Sequence, residues 1–272
     1  MKSFRRMSSP YYLWGVVFVL VPLVMTFSYA FSEAGHFSLT NFARFLSGPA
    51  LPTLFKSLRI AVISTLLCLV LGYPMAFLIS KSQARYRSIA LTLIIIPMWM
   101  NFLLRTYSWM TLLSRKGLLS TLLGFLGLGP LDVLYTEGAV ILGMVYNFLP
   151  FMILPIYTAL QKMDHSLVEA AADLGANKLS CFRRVIFPLS LPGVASGISM
   201  VFIPAISTFE ITTLLGGNKS NLIGNVIEQQ FTVTGNWHYG FSMAVILMIF
   251  LLISLFFSGD EEEASKKKGG QV

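Results

Sequence analysis

The residues whose chemistry stands out are polar ones inside long apolar stretches: Asn101 and Arg105 within residues 89–113, and Glu210 directly after Phe209. A carboxylate offers a protonated amine a charge-assisted hydrogen bond. An aromatic face within about 6 Å adds roughly 0.5–2 kcal/mol, and Phe209, Trp99, Tyr107, Trp109 and Tyr146 are the rings at hand. Arg105 would repel such a cation unless a carboxylate neutralises it. Glu210, Asp132 and Glu137 are the candidates, and a direct substrate role for Arg105 is the alternative. An ion placed in a bilayer costs about 2.5–3.5 kcal/mol on the lenient scale, so these residues must pair or face water. Counted along straight helices from Ile89 and Leu191, Arg105 and Glu210 lie roughly 24 and 28 Å up, near the external boundary. The sequence contains no phosphate loop, no paired His and Glu, and no nucleophile elbow. The expectation is a protein that is not an enzyme and binds neither metal nor cofactor.

The elements that must hold these residues are membrane helices. The 272 residues are 55% hydrophobic and 12% charged, with mean hydropathy +0.72, which places the chain in the multi-span membrane class. Apolar stretches of the ~20 residues that cross a bilayer occur at Tyr11–Phe31, Ile60–Ser80, Gly138–Leu160, Leu191–Phe209 and Tyr239–Ser258; a sixth, Ile89–Leu113, is interrupted by Asn101 and Arg105. The alternative for the first is a secretory signal, but its apolar region exceeds the usual signal core. Pro22, Pro74, Pro97, Pro150, Pro155 and Pro204 predict kinked helices.

Charge sets the orientation. With the N-terminus inside, cytoplasmic segments carry thirteen Lys and Arg against five outside, which puts both termini in the cytoplasm. The net charge of +8 therefore serves orientation toward the lipid membrane, and no nucleic-acid role is assigned. Cys68 lies in an apolar run and Cys181 in a polar segment, so no disulfide or metal framework is readable. The charge run at 259–272 reads as a solvated, disordered tail after a single transmembrane domain at 1–258.

One cytoplasmic segment, 161–190, is polar between apolar runs. Ser166 and Glu169 have capping-box spacing, predicting a helix start. Leu167, Ala170, Ala171 and Leu174 then form one narrow stripe of small and apolar side chains. Gly175 ends the helix; beyond it Phe182, Ile186 and Leu189 form a second stripe beside Arg183 and Arg184. The expected form is helix, tight bend, helix. From physics alone, an amphipathic hairpin lying on the membrane is an equal reading.

Glu169-Ala170-Ala171, Gly175, then Val185, Phe187 and Pro188 resemble the EAA loop of type I ABC importer permeases, with Val185 and Phe187 in place of the usual Ile and Leu. The resemblance implies a coupling helix that docks on a cytoplasmic ATPase, with Glu169, Ala170, Ala171, Gly175 and Pro188 as its residues. Leu71-Gly72-Tyr73-Pro74, the run from Pro97 to Leu113 with its Arg105-Thr106-Tyr107, and the run from Phe202 to Gly217 with Ile223-Gly224 downstream are similar to the B-type permease subunits of spermidine/putrescine importers. The chain departs from them at Ser207–Glu210, where its carboxylate follows Phe209 rather than preceding it.

The resemblance implies an all-α, six-helix permease of the bacterial cytoplasmic membrane. It would work with a second homologous permease subunit, two ATPase subunits that bind the ATP, and an extracellular polyamine-binding protein. Phe209, Glu210, Trp99, Asn101, Arg105, Tyr107 and Tyr146 would line the substrate path. The rivals are a type I permease for another solute, such as thiamine, iron or an anion, and a secondary transporter or channel that needs no ATPase. A purely structural anchor fits poorly with polar residues inside the spans.

Overall fold

The computed structural model describes residues 14–33, 35–125, 133–164, 166–217 and 220–269. In chain order the helices are α1 (Val16–Ala30), α2 (Thr40–Ser47), α3 (Ala50–Lys81), α4 (Ala84–Trp99), α5 (Phe102–Leu113), α6 (Leu118–Phe125), α7 (Glu137–Lys162), α8 (Ser166–Asp173), α9 (Lys178–Ser207), α10 (Glu210–Gly216), α11 (Ile223–Thr232) and α12 (Trp237–Gly269). A two-stranded antiparallel pair, Ser32–Glu33 with His36–Phe37, follows α1. Four helices, α3, α7, α9 and Trp237–Leu255 of α12, are each long and apolar enough to cross a membrane. A fifth candidate is a pair, Ala84–Trp99 with Phe102–Phe125, bent by 96°. α1 is a shorter apolar helix, and residues 11–13 of the first expected span lie outside the described residues.

The chain divides into two compact units, Met1–Thr53 with Val226–Leu252, and Leu54–Asn225 with Ile253–Val272. In the first, the Ser242 hydroxyl donates to the Ala30 carbonyl at 2.8 Å, and the Arg44 guanidinium lies 4.5 Å from the centre of the Tyr239 ring. Phe231 meets Phe241 edge to face at 5.0 Å.

The second unit is built on α7 and α9, which pack along much of their length. Gly193 and Gly197, one helical turn apart, let the backbones meet. A Cβ at Gly193 would stand 2.6 Å from the Ala159 Cβ and 2.7 Å from the Pro155 carbonyl oxygen, and one at Gly197 would stand 2.8 Å from the Met152 sulfur. Lipid gives apolar helices no hydrophobic reason to associate, so close approach through small residues is what holds them together. Buried Met144, Met152, Ile153 and Ile156 fill the face of α7. At the far end, Gln161 accepts a hydrogen bond from Arg87 and donates to the Ser80 carbonyl at 3.0 Å, tying α7 to α3 and α4.

The structure differs from the sequence expectation in three places, each for a local reason. The stretch Ile89–Leu113 is not one straight helix. Met100 and Asn101 are extended, and the Asn101 side chain caps α5 by accepting from the Leu103 and Leu104 amides at 2.9 and 3.3 Å. The straight-helix depth of Arg105 therefore does not apply.

The span expected at Leu191–Phe209 starts earlier, because the second helix of the polar segment runs straight into it as α9. Residues Phe182–Ile186 form a π turn there, with the Phe187 amide donating to the Phe182 carbonyl, just before Pro188. A widened turn spares the proline ring its clash with the carbonyl four residues back. The same arrangement, π turn Val16–Leu20 followed by Pro22, occurs in α1.

Finally, the backbone of α12 stays helical through Gly269, across residues the sequence reading assigned to a disordered tail. Glu, Ala and Lys, which make up most of 261–268, are among the better helix formers.

Candidate functional site

The polar segment folds as a hairpin of α8 and the start of α9. α8 begins at Ser166 as expected, but the acceptor at its start is Asp164, which takes the Ser166 amide on its carboxylate at 2.9 Å. Ser166 is thus the first helical residue rather than the cap. α8 ends in a Schellman motif: the Ala176 amide donates to the Ala171 carbonyl at 3.0 Å and the Gly175 amide to the Ala172 carbonyl at 2.9 Å. Gly175 sits at φ +81°, and nothing lies within 4 Å of the place a Cβ would take. The constraint there is backbone conformation alone. Asn177 then caps α9, accepting from the Ser180 amide at 2.8 Å.

The two arms of the hairpin differ in what holds them. Phe182 packs edge-on against Tyr73 and Phe77 at 5.9 and 5.5 Å, and the Tyr73 and Ser190 hydroxyls are 2.9 Å apart. The α9 arm is thereby fixed to α3. The α8 arm presents Glu169 and Ala170 outward, and Leu174 and Leu179 at the bend are 89% and 74% exposed. Arg183, Arg184 and Pro188 are exposed too. A cavity of about 380 Å³ between the arms is lined by Ala171, Leu174, Gly175, Cys181 and Arg184 among others. Large apolar side chains standing out beside small ones and cations make a surface suited to another protein.

The expected path residues fall on helices that pack on one another: α5 on α7, and α10 on both. Arg105 is buried in the first turn of α5. Tyr146 of α7 meets Trp109 of α5 edge to face at 5.2 Å. Glu210 is the first residue of α10, half-buried, and accepts from the Thr208 hydroxyl at 3.4 Å. Phe209 and Tyr107 are partly exposed, while Trp99 closes α4 before the bend and is the most exposed of the rings. Asn101 serves as the helix cap described above. Among the described residues Arg105 makes no ion pair with Glu210. Glu137 is engaged elsewhere, by Lys56 and Arg59; Asp132 lies outside the described residues. No group of three or more potential metal ligands occurs among the described residues.

Sequence reasoning missed Asn225. Buried at the start of α11, it donates to the Phe209 carbonyl at 3.1 Å and to the Thr213 hydroxyl at 2.7 Å, and accepts from Thr212 and from the Leu222 amide. Next to it, a Cβ on Gly224 would stand 2.5 Å from the Ser207 carbonyl oxygen. The turn that carries Phe209 and Glu210 is therefore clamped by residues 222–225. The Ile223-Gly224 pair was the available signal.

Residues 68–260 match the family described as binding-protein-dependent transport system inner membrane component. The spermidine/putrescine transport system permease protein PotB of Haemophilus influenzae is 40% identical over 247 residues, covering 88% of this chain and 86% of that protein. PotB of Escherichia coli K12 is 41% identical over 245 residues, covering 87% and 89%. Among solved structures, a bacterial ABC transporter involved in the import of the acidic polysaccharide alginate superposes with TM-score 0.79 at 17% identity, covering 96% of this chain and 95% of that one. The inward-facing MetNI methionine ABC transporter superposes with TM-score 0.59 at 18% identity, covering 79% and 95%. These last two show the fold. With its long apolar helices and its match across most of their length, this chain is a multi-pass protein of the bacterial inner membrane and belongs to the family of binding-protein-dependent transport system inner membrane components.

Proposed function

We propose that the chain is the permease subunit of an ATP-driven polyamine importer, carrying spermidine or putrescine. It supplies part of the path and the joint to a separate ATPase. The observation that carries this is the identity of about two residues in five with PotB proteins over nearly the whole chain. The geometry supplies a mechanism. α9 starts in the exposed hairpin and runs 30 residues to Ser207, about 45 Å at 1.5 Å per residue. It ends two residues before Phe209 and three before Glu210. A push on the hairpin is thus delivered along one packed helix to the turn that Asn225 clamps.

In this reading the chain crosses the membrane six times with both termini in the cytoplasm, α1 being the first span and the bent pair the third. Residues 1–258 form one permease domain with 161–190 as its coupling loop, and 259–272 form a charged cytoplasmic tail. A second permease subunit, two ATPase subunits and an extracellular polyamine-binding protein complete the machine. ATP binds to the partner, and this chain holds no cofactor. The carboxylate of Glu210 and the rings of Phe209, Tyr107, Trp109 and Tyr146 replace the water around a protonated amine.

One observation favours a permease for an acidic solute instead: the buried Arg105 has no acid partner among the described residues. Uptake of labelled putrescine, spermidine and a control dicarboxylate by the reconstituted complex decides between them. Saturable uptake of the amines alone is expected; uptake of the dicarboxylate alone would overturn the polyamine reading.

A further inference from the structure

Arg105 is 8% exposed, and its Nε is sealed from solvent with no hydrogen-bond partner. Its guanidinium carbon lies 5.8 Å from the centre of the Phe102 ring, the contact the structure gives it. A guanidinium cannot shed its charge as a buried lysine or carboxylate can, and an uncompensated buried charge is strongly destabilising. The acids between Leu54 and Asn225 whose side chains are described are accounted for. Glu137 is held by Lys56 and Arg59, Glu210 accepts from Thr208, and Asp164, Glu169 and Asp173 belong to the hairpin at the opposite end of α9. Since Nε is the one sealed nitrogen, what access the guanidinium keeps lies at its two terminal nitrogens. The same helix exposes Leu103, Leu104 and Tyr107, apolar side chains that a partner surface bringing the missing anion would also cover.

We infer that Arg105 is the anchor for a carboxylate of the second permease subunit, an Asp or Glu within that subunit's membrane helices, which meets the terminal nitrogens as the two subunits close over α5. The inference rests on the reading of this chain as one of a permease pair. It also removes the conflict in the cation path. A fixed positive charge on the helix that carries Tyr107 and Trp109 would oppose a polyamine, and one carboxylate from across the interface cancels it. Arg105 is then a positioning residue rather than a substrate contact.

The test uses the complete complex, purified through a tag on this chain. Arg105→Gln lowers recovery of the second permease roughly a hundredfold, the scale of a truncated buried ion pair, while Arg105→Lys retains part of it. Each membrane-embedded Asp and Glu of the second permease is then changed to Arg, singly. One of these reproduces the loss, and Arg105→Glu restores recovery in that background and in no other. Because the exchange is a gain, misfolding of a single variant cannot imitate it. Full recovery with Arg105→Gln, failure of every charge exchange, restoration by added anionic phospholipid, or the same loss from Asp132→Asn in this chain alone would each overturn the inference. Recovery of the pair does not depend on which solute is carried, so failure of the polyamine reading would show in uptake and leave this result standing.

Discussion

The chain turns sharply at two places, and they are built in opposite ways. At the hairpin, Gly175 takes a left-handed conformation with empty space around it. Between α4 and α5, the 96° bend uses no left-handed residue: Met100 and Asn101 are extended, and a side-chain cap starts the next helix. The first turn is specified by what the backbone can adopt, the second by two backbone amides donating to one side chain. The hairpin is exposed and shaped to be touched. The bend is exposed too, at Trp99, Met100 and Asn101, but it leads directly into the buried Arg105.

Substitutions separate the two. Gly175→Val places a β-branched residue at φ +81°, where it is a steric outlier, and uptake is expected to fall to background while the complex still inserts. Gly175→Asn, which tolerates that conformation, keeps most of the uptake; equal uptake in the two variants would break the backbone account. Glu210→Gln raises the polyamine concentration for half-maximal uptake about tenfold, the scale of one charge-assisted hydrogen bond, with assembly and ATPase activity retained. If the double change with Arg105→Gln recovered full uptake, Glu210 would be acting on Arg105 and not on substrate. Asn101→Ala removes the cap and costs about 1 kcal/mol, read as a lower melting temperature of the complex, whereas Asn101→Ser loses little. Smallest is Glu169→Gln. Glu169 is exposed with Asp164 doing the work at the helix start, so helix stability stays unchanged and ATPase docking weakens only slightly.

The same contrast explains what could be read from sequence. Gly175 was legible because its effect is local: a stripe of four positions ends and a glycine follows. The long apolar stretches at 60–80, 138–160 and 239–258 were legible because burial in lipid asks only for length and hydropathy. Asn101 was visible as a polar interruption but not as a break, since an isolated Asn in an apolar run carries the same composition whether it faces a partner or caps a helix. Pro97 four residues earlier was the second half of that signal. The joining of the hairpin's second helix to the span was hidden by Pro188 and Pro192, which argue for a boundary unless a π turn absorbs the first of them. The clamp on Glu210 was out of reach for a different reason. Asn225 lies 15 residues after Glu210, and Ser57, whose hydroxyl accepts from the Ile223 amide at 2.7 Å, lies more than 150 before it; only the fold brings them together.

The most direct test of the central claim is ATP-dependent spermidine accumulation by the complete complex in sealed vesicles, wild type beside Leu174→Asp. Leu174 is 89% exposed at the hairpin bend, so its replacement costs the fold little and acts on docking. The account predicts accumulation by wild type only when both the ATPase subunits and ATP are present, and a Leu174→Asp chain that inserts and pairs but recruits little ATPase and accumulates no spermidine. Accumulation without ATP, or equal accumulation by the variant, would contradict it.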